Sequence, residues 1–284
     1  MTIIVTGATG FVGSALIRNL ALTGARVIAL AGPRFKQVAD TANVEWLKHQ
    51  GDVEEFSRLV AEISPTTVVH CASHYVLRNT IKDIDPMIDA NIRVGTVLLQ
   101  TLAKQGVHFV NLSSFFQKQG NDGQLPNSLY ATTKQAFADI VRWFGVNSRI
   151  RTCDLLLFDT YGPGDQRRKL IPELLSCAAT GGTLDVQSPS AEMNLCYITD
   201  VTAAIVQVIN QETTGVWSIR AEFNTKVSDV VAEIESITGR RIVGQFGYAA
   251  PHALPRLDGP KVLAGWKPKT NLRDGLTKCW HQLH

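Results

Sequence analysis

Residues 6–13, "TGATGFVG", put Gly7, Gly10 and Gly13 at three-residue intervals between an apolar run, "TIIVTG", and a helical one, "FVGSALIRNLALTG". A glycine pattern carries weight only when it follows a strand and opens a helix, and this one does both. Glycines let the backbone turn tightly, approach a pyrophosphate closely and pack helix on strand. The free N–H groups at the helix start favour an anion. The alternative is a plain strand-to-helix turn with no ligand.

Working outward from this loop, short β-branched runs alternate with longer helical ones. "ARVIALAG", "NVEWLKHQ", "TTVVHCAS", "VHFVNLSS" and "IRTCDLLLF" are strand-like. "VEEFSRLVAEI", a long stretch over "IDANIRVGTVLLQTLAKQ", and the segment containing "YATTKQAFADIVRWFG" are helical. Near-continuous apolar strands separated by helices predict a parallel sheet covered on both faces, a doubly wound α/β fold. Beyond residue 162 loop-rich stretches such as "TGGTLDVQSPS" intervene between shorter helices. The expected organisation is therefore a nucleotide-binding domain over 1–162 and a mainly substrate-binding lobe over 163–284, with some elements of the second part returning to the first. Trp266, in "AGW", reads as core.

Composition narrows the class. In 284 residues, 45% are hydrophobic and 19% charged, as in ordinary globular proteins. No run approaches the length needed to span a bilayer, and the chain enters a strand and a glycine loop at once, without a signal-peptide pattern. A net charge of +3, with no basic stripe, does not suggest a nucleic-acid partner. The five cysteines are scattered, which argues against a disulfide framework or a zinc site. A soluble, cytoplasmic protein without a metal is expected.

Further positions bear on the cofactor. A carboxylate at the end of the second strand would accept a hydrogen bond from the ribose of NAD. Here "LAGPRFK" supplies Arg34 and Lys36 instead, and a guanidinium pairs with a 2′-phosphate through two hydrogen bonds. NADP(H) is thus favoured over NAD(H), unless Arg34 is only an exposed loop cation. After the third strand, Asp52 and Val53 are placed to meet the adenine. Cys71, Ala72 and Ser73 end the fourth strand beside the cofactor.

The chemistry gathers around "YATTK", residues 130–134. Residues four apart share a helix face, so Tyr130 and Lys134 are neighbours. An adjacent ammonium is expected to lower the phenol's pKa and make it a usable proton donor or acceptor. Upstream, "NLSS" ends the fifth strand, at the sheet edge where α/β ligands bind.

The motifs "TGATGFVG", "HCAS", "SS", "YATTK" and "YGPGD", with the tail "LDGPKVLAGWKPKTNLRDGL", resemble the extended short-chain dehydrogenase/reductase superfamily of nucleotide-sugar epimerases, dehydratases and reductases. The resemblance covers nearly the whole chain and implies a Rossmann-type fold with a smaller C-terminal substrate-binding lobe. "SSFFQ", "LYATTKQAFADI" and "LFDTYGPGDQRRKL" are most similar to CDP-sugar 4-ketoreductases of the CDP-abequose and CDP-paratose synthase type. The resemblance implies a catalytic triad of Ser114, Tyr130 and Lys134, with Ser114 chosen over Ser113 because the family uses the second position of the pair. It extends the cofactor set to Thr9, Phe11, Val12, Asn91, Leu112, Phe158 and Thr160, with Tyr130 and Lys134 also touching the cofactor. For the substrate, Phe115, Phe116, Asp159 and Asn194 join Ser114, and His74 and Tyr75 follow the fourth strand where they reach the sugar or simply pack the loop. Arg167, Arg168 and Lys169, in "DQRRKL", are candidates for a diphosphate because guanidinium forks suit phosphate oxygens; Arg256 is a further one. Each of these cations also reads as a solvated surface group.

There are departures from the family pattern. "FFQKQG" stands where members carry a Tyr-Gly soon after the serines, Leu156 and Asp159 replace an Arg and an Asn, and Met193 stands where many have an arginine. Dehydratases carry an Asp-Glu pair directly after the serine or threonine, whereas Phe115 and Phe116 follow here, which disfavours dehydration. The expected activity is NADPH-dependent reduction of the C4 keto group of a nucleotide-linked deoxyhexose of the CDP-4-keto-3,6-dideoxyhexose type. A 4-epimerase holding NAD tightly and a non-catalytic NADP-binding sensor are the alternatives. A homodimer through a four-helix bundle is implied by the resemblance, since burial within one chain would equally explain the apolar faces of the two long helices.

Overall fold

The structure is a computed structural model that describes residues 1–32, 43–48, 52–76, 79–118, 125–186, 189–246 and 260–283. Arg34, Lys36 and Arg256 lie outside the described residues.

The first part of the chain runs β1 (Thr2–Thr6), α1 (Phe11–Leu20), β2 (Arg26–Ala31), β3 (Val44–Lys48), α2 (Val53–Ile63), β4 (Thr67–His70), α3 (Ile84–Ile88), α4 (Val94–Leu102), β5 (His108–Ser114), α5 (Leu129–Asn147) and β6 (Arg151–Leu157). It continues through β7 (Asp159–Tyr161), α6 (Leu170–Thr180), β8 (Thr183–Val186), β9 (Glu192–Met193), β10 (Leu195–Tyr197), α7 (Ile198–Gln211), β11 (Gly215–Ile219), β12 (Thr225–Lys226), α8 (Val227–Thr238), β13 (Val243–Phe246) and α9 (Leu272–Gln282).

Seven parallel strands form the main sheet in the order β11-β6-β5-β4-β1-β2-β3. This is the doubly wound, Rossmann-like arrangement, and the strand order reverses between β1 and β4. Alternate residues of each strand face opposite layers. Ile3 and Val5 of β1 join Leu16 and Ile17 of α1 and Val201, Ile205 and Val208 of α7. Ile4 points the other way, into Phe56 of α2, Leu98 and Leu102 of α4, and Phe137, Val141 and Phe144 of α5. Burial on both faces explains why the strands read as unbroken apolar runs rather than alternating ones. Trp266 packs in the first of these layers and donates its indole N–H to the Asp200 carbonyl at 3.0 Å.

A third cluster joins α6, α8 and α9 through Leu174, Val230, Ile234 and Leu276. Three two-stranded ribbons, β7–β10, β9–β12 and β8–β13, accompany it. The elements that return to the sheet are α7, packed on α1, and β11, which adds the outer strand beside β6.

The long helix expected over residues 88–104 is interrupted. A π-helical segment at Asp89–Arg93 separates α3 from α4. Such single-turn bulges frequently accompany functional sites. Its fully buried Asn91 accepts a hydrogen bond from the His74 backbone N–H (2.7 Å) and donates to Thr133 Oγ1 of α5 (2.9 Å). The widened turn thus braces the loop after β4 against α5.

Close approach of α4 and α5 depends on Gly95. A Cβ there would stand 2.2 Å from Phe137 Cζ and 2.9 Å from His70 Nε2. Gly95→Ala is expected to cost about 1–3 kcal/mol by overpacking, read as a lower urea midpoint at unchanged slope. An unchanged midpoint would show that Phe137 has room to yield.

Candidate active site

The crevice opens at the carboxyl ends of β1 and β4, where the strand order reverses. Gly7 has φ +61°, and a Cβ on it would lie 2.6 Å from the Ala72 backbone nitrogen. Gly13 has no room either, since its Cβ would stand 2.3 Å from the Gly7 carbonyl oxygen. Gly10 starts α1 with no side-chain cap, and the first turn of α1 carries no acidic residue. Exposed N–H groups at the positive end of a helix, reached over a floor without side chains, suit a pyrophosphate. The residues present therefore fit a dinucleotide.

Two cavities flank this loop. One of 1120 Å³ is lined by Gly7, Thr9, Ala31, Gly32, Ala72, Ser73 and His74 on the sheet side, and by Asp85, Asp89 and Arg93 opposite. The other, of 930 Å³, is lined by Gly10, Phe11, Val12, Gly13, Cys71, Leu112, Ser114, Phe116, Tyr130, Lys134, Phe158, Thr160, Arg167, Arg168 and Lys169. Ser73 and His74 border both. Most of the residues singled out from sequence thus surround one continuous edge of the sheet.

Tyr130 is the second residue of α5, whose first turn is capped by Ser128 accepting from the Ala131 N–H at 3.2 Å. The side chains of Ser73 and Ser114 stand beside the phenol, favouring its ionised form, and all three line the same cavity. Ser113, on the opposite face of β5, donates instead to Asp154 Oδ1 at 2.6 Å. The two serines therefore have separate surroundings, and Ser114 is the one beside Tyr130.

The electrostatics differ from the expectation that Lys134 lowers the phenol's pKa. Burial holds Tyr130 above its ordinary value, against the opposing pull of Ser73, Arg167 and Ser114. Lys134 is 2% exposed, and burial brings its ammonium down to about 8 despite Asp154 and Cys71. Its charge acts on Asp154, Cys71 and His70. The residues do share a helix face, but desolvation is the largest effect on the phenol.

The wall opposite is aromatic and cationic. Tyr75 meets the Tyr130 ring edge-on, centroids 5.0 Å apart. Lys169 Nζ lies 5.5 Å from the Tyr75 ring centre and 5.8 Å from that of Phe116. Arg167 is committed, donating to Asp165 and to the Thr160 carbonyl (2.8 Å) while covering Phe11 at 4.4 Å. Arg168 is 91% exposed on its side chain. Asp159 is buried, and desolvation raises its carboxyl pKa against Lys169 and Arg167. Phe115 is buried and stacks on Phe158 at 4.7 Å, with Phe116 tilted against it.

Several expected site residues have other occupations and lie outside both cavity linings. Asp52 caps α2, accepting from the Glu54 and Glu55 N–H groups, and Val53 is exposed on that helix. The Asn91 amide is taken up by the brace described above. Asn194 is fully buried, donating to the Ala221 carbonyl (3.1 Å) and accepting from the Ala221 N–H (2.8 Å). Sequence reasoning missed Asp154, whose position inside an apolar strand was the available signal.

A model of the NAD dependent epimerase/dehydratase family matches residues 3–219. A CDP-abequose synthase from Yersinia pseudotuberculosis is 24% identical over 217 residues, covering 75% of this chain and 74% of its own length. Among solved structures, MoeE5 in complex with UDP-glucuronic acid and NAD superposes with a TM-score of 0.83 at 22% identity, covering 100% of this chain and 99% of that one. The UDP-glucose 4-epimerase of Thermotoga maritima with UDP-glucose gives 0.83 at 20% identity, covering 100% and 98%. At these identities the structural likenesses carry the fold.

His70, at the end of β4, offers a test of how dry this edge is. It is fully buried, shares a hydrogen bond with Thr6 Oγ1 (2.9 Å), and burial pushes its pKa from 6.5 to about 3. A folded-state value below the unfolded one makes its contribution complete above pH 6.5 and progressively lost as pH falls toward 3. His70→Gln is expected to flatten the acid limb of the unfolding free energy by roughly a few kcal/mol relative to the unaltered protein. Identical pH slopes would mean that His70 protonates freely in the fold.

Proposed function

The chain belongs to the NAD dependent epimerase/dehydratase family, and we propose that within it this protein reduces the C4 keto group of a nucleotide-linked deoxyhexose, with Tyr130 as the proton donor. The observation that carries this reading is the Tyr130 phenol, kept protonated by burial, in one cavity with Ser73, Ser114, Lys134 and the glycine cradle. A phenol held above its ordinary pKa is protonated before turnover, which is the form a ketone reduction needs.

A reduced nicotinamide, when bound along the cradle, would supply the hydride. Ser114 and Tyr130 would hold the carbonyl oxygen, the phenol giving up its proton as negative charge develops there. Arg167, Ser73 and Ser114 support the charge left on the phenol, and the Lys134 ammonium, one helical turn away, suits the nicotinamide ribose. Lys169, beside Tyr75 and Phe116, and Arg167 line the same cavity as Tyr130 and suit the substrate's diphosphate. The Phe115–Phe116 pair supports reduction over dehydration, because neither side chain can act as an acid or base at positions where dehydratases carry carboxylates. The similarity to a CDP-abequose synthase favours a CDP-linked 3,6-dideoxy sugar. NADPH is favoured over NADH on the basic stretch following β2.

The assay is incubation with NADPH or NADH and CDP-, dTDP- and GDP-4-keto-6-deoxysugars, with and without oxygen at C3. One NADPH consumed per sugar reduced is expected, with higher kcat/KM than for NADH. Tyr130→Phe should lower kcat by roughly a hundredfold or more while cofactor binding persists. Catalytic NAD with no net oxidation would instead identify an epimerase.

The exposed side of α5 carries Trp143 and Val146, 58% and 77% exposed. A homodimer that pairs α4 and α5 with their copies would cover them. A dimer mass in light scattering is expected, reduced to a monomer mass by Trp143→Glu; a monomer of the unaltered protein would rule the pairing out.

A further inference from the structure

Strand β5 runs out in "SFFQ", residues 114–117, where the backbone turns into a short 3₁₀ segment, Phe115–Lys118. Ser114 stands at the N-cap of that turn and Gln117 at its third residue, the S-x-x-Q spacing of a capping box. Both halves of the box are made. Gln117 Oε1 accepts from the Ser114 backbone N–H at 2.7 Å, and Ser114 Oγ accepts from the Phe116 N–H at 3.4 Å. The second bond occupies one lone pair of the hydroxyl and keeps its O–H available to donate into the cavity that Ser114 lines with Tyr130.

Gln117 is 2% exposed, so its amide has to find protein partners at both ends. The Ser114 N–H can meet only the amide oxygen, which turns Nε2 toward α5, where it donates to Gln135 Oε1 at 3.2 Å. Gln135 Nε2 donates in turn to Asp139 Oδ1 at 3.1 Å. A carboxylate only accepts, so the chain between Ser114 and Asp139 has one direction and each amide one orientation. A second tie lies alongside: the Phe116 carbonyl accepts from the Asn127 N–H at 3.2 Å, just ahead of α5. The turn that bears Ser114 and the helix that bears Tyr130 are thus joined by side chain and by main chain.

We propose that Gln117 is a positioning residue for the reaction. Its amide oxygen holds the Ser114 N–H and its amide nitrogen holds α5, so that the serine hydroxyl keeps its place beside the Tyr130 phenol. The catalytic consequence rests on the role proposed above for Ser114; the capping box itself does not.

The test is Gln117→Met in the full chain, which keeps the length of the side chain and removes both hydrogen bonds. By NMR hydrogen exchange, the Ser114 amide is expected to exchange roughly tenfold faster or more, while the Val110 and Leu112 amides of the same strand keep their protection. In turnover, kcat should fall by roughly ten- to a hundredfold, with KM for NADPH and the amount of NADPH bound per chain nearly constant. An unmoved Ser114 amide overturns the proposal whatever the substrate proves to be. So does equal acceleration of all three amides, which would make Gln117 a general support of the fold, and so does a loosened Ser114 with kcat intact. A loosened Ser114 in a protein whose unaltered form reduces no nucleotide sugar upholds the box and counts against the reductase reading alone. Should Gln117→Met fail to fold, Gln135→Leu cuts the same chain at its half-buried link. A lowered kcat at constant KM for NADPH is expected there, and an unchanged kcat overturns the tie to α5.

Discussion

The contact between Gly7 and the chain leaving β4 sets the geometry on which the candidate site depends. Gly7 takes φ +61°, and its α-carbon passes so close to Cys71 and Ala72 that no side chain fits. That approach joins the two halves of the sheet at the point where strand order reverses. The crevice therefore forms between β1 and β4, with α1 aimed across it. The Thr6 hydroxyl reinforces the junction by accepting from the Ala72 N–H at 3.1 Å and bonding to His70. Everything proposed to touch a cofactor hangs from strand ends whose positions follow from this junction.

The same junction makes the site dry, and dryness controls its acid–base chemistry. Burial is the largest influence on Tyr130, Lys134, Asp154, Asp159 and Lys169, raising the acids and lowering the ammonium groups. Charged forms persist there only where hydrogen bonds and opposite charges offset the lost hydration. Two such groupings are visible. Asp154 with Asn111 and Ser113 lies inside the sheet, and Asp159 with Lys169 and Arg167 lies toward the third cluster. Tyr130 lines the same cavity as Arg167 and Lys169, with Ser73 and Ser114 beside its phenol.

Much of this was legible one element at a time. The strands of the first half announced themselves because burial on both faces demands continuous apolar runs, and the glycine loop did so through its strand–helix context. The outer strand β11 was harder to see, because it follows a long excursion and is one edge of the sheet. Val216 is half exposed on that edge, so the strand lacks the unbroken apolar run that marked the others. The break between α3 and α4 was invisible for a different reason: helical periodicity persists across it, and only the inward turn of Asn91 toward His74 and Thr133 reveals it. Asp52 and Asn194 show the converse. Polar residues at suggestive positions were read as ligand contacts, whereas backbone donors and acceptors nearby take up their side chains.

By itself, the sequence determined the parallel sheet, the glycine cradle and the pairing of Tyr130 with Lys134 on one helical turn, because each depends on local spacing and on the period of apolar residues. The tertiary structure decided which serine stands beside the phenol, that burial and not the ammonium sets the direction of the Tyr130 shift, and that Asp154 is held by Asn111 and Ser113 across the β5–β6 register. Those outcomes depend on groups far apart in the chain, brought together by strand register and helix packing. Desolvation, which sets the acid–base behaviour of every one of them, exists only once those layers have closed.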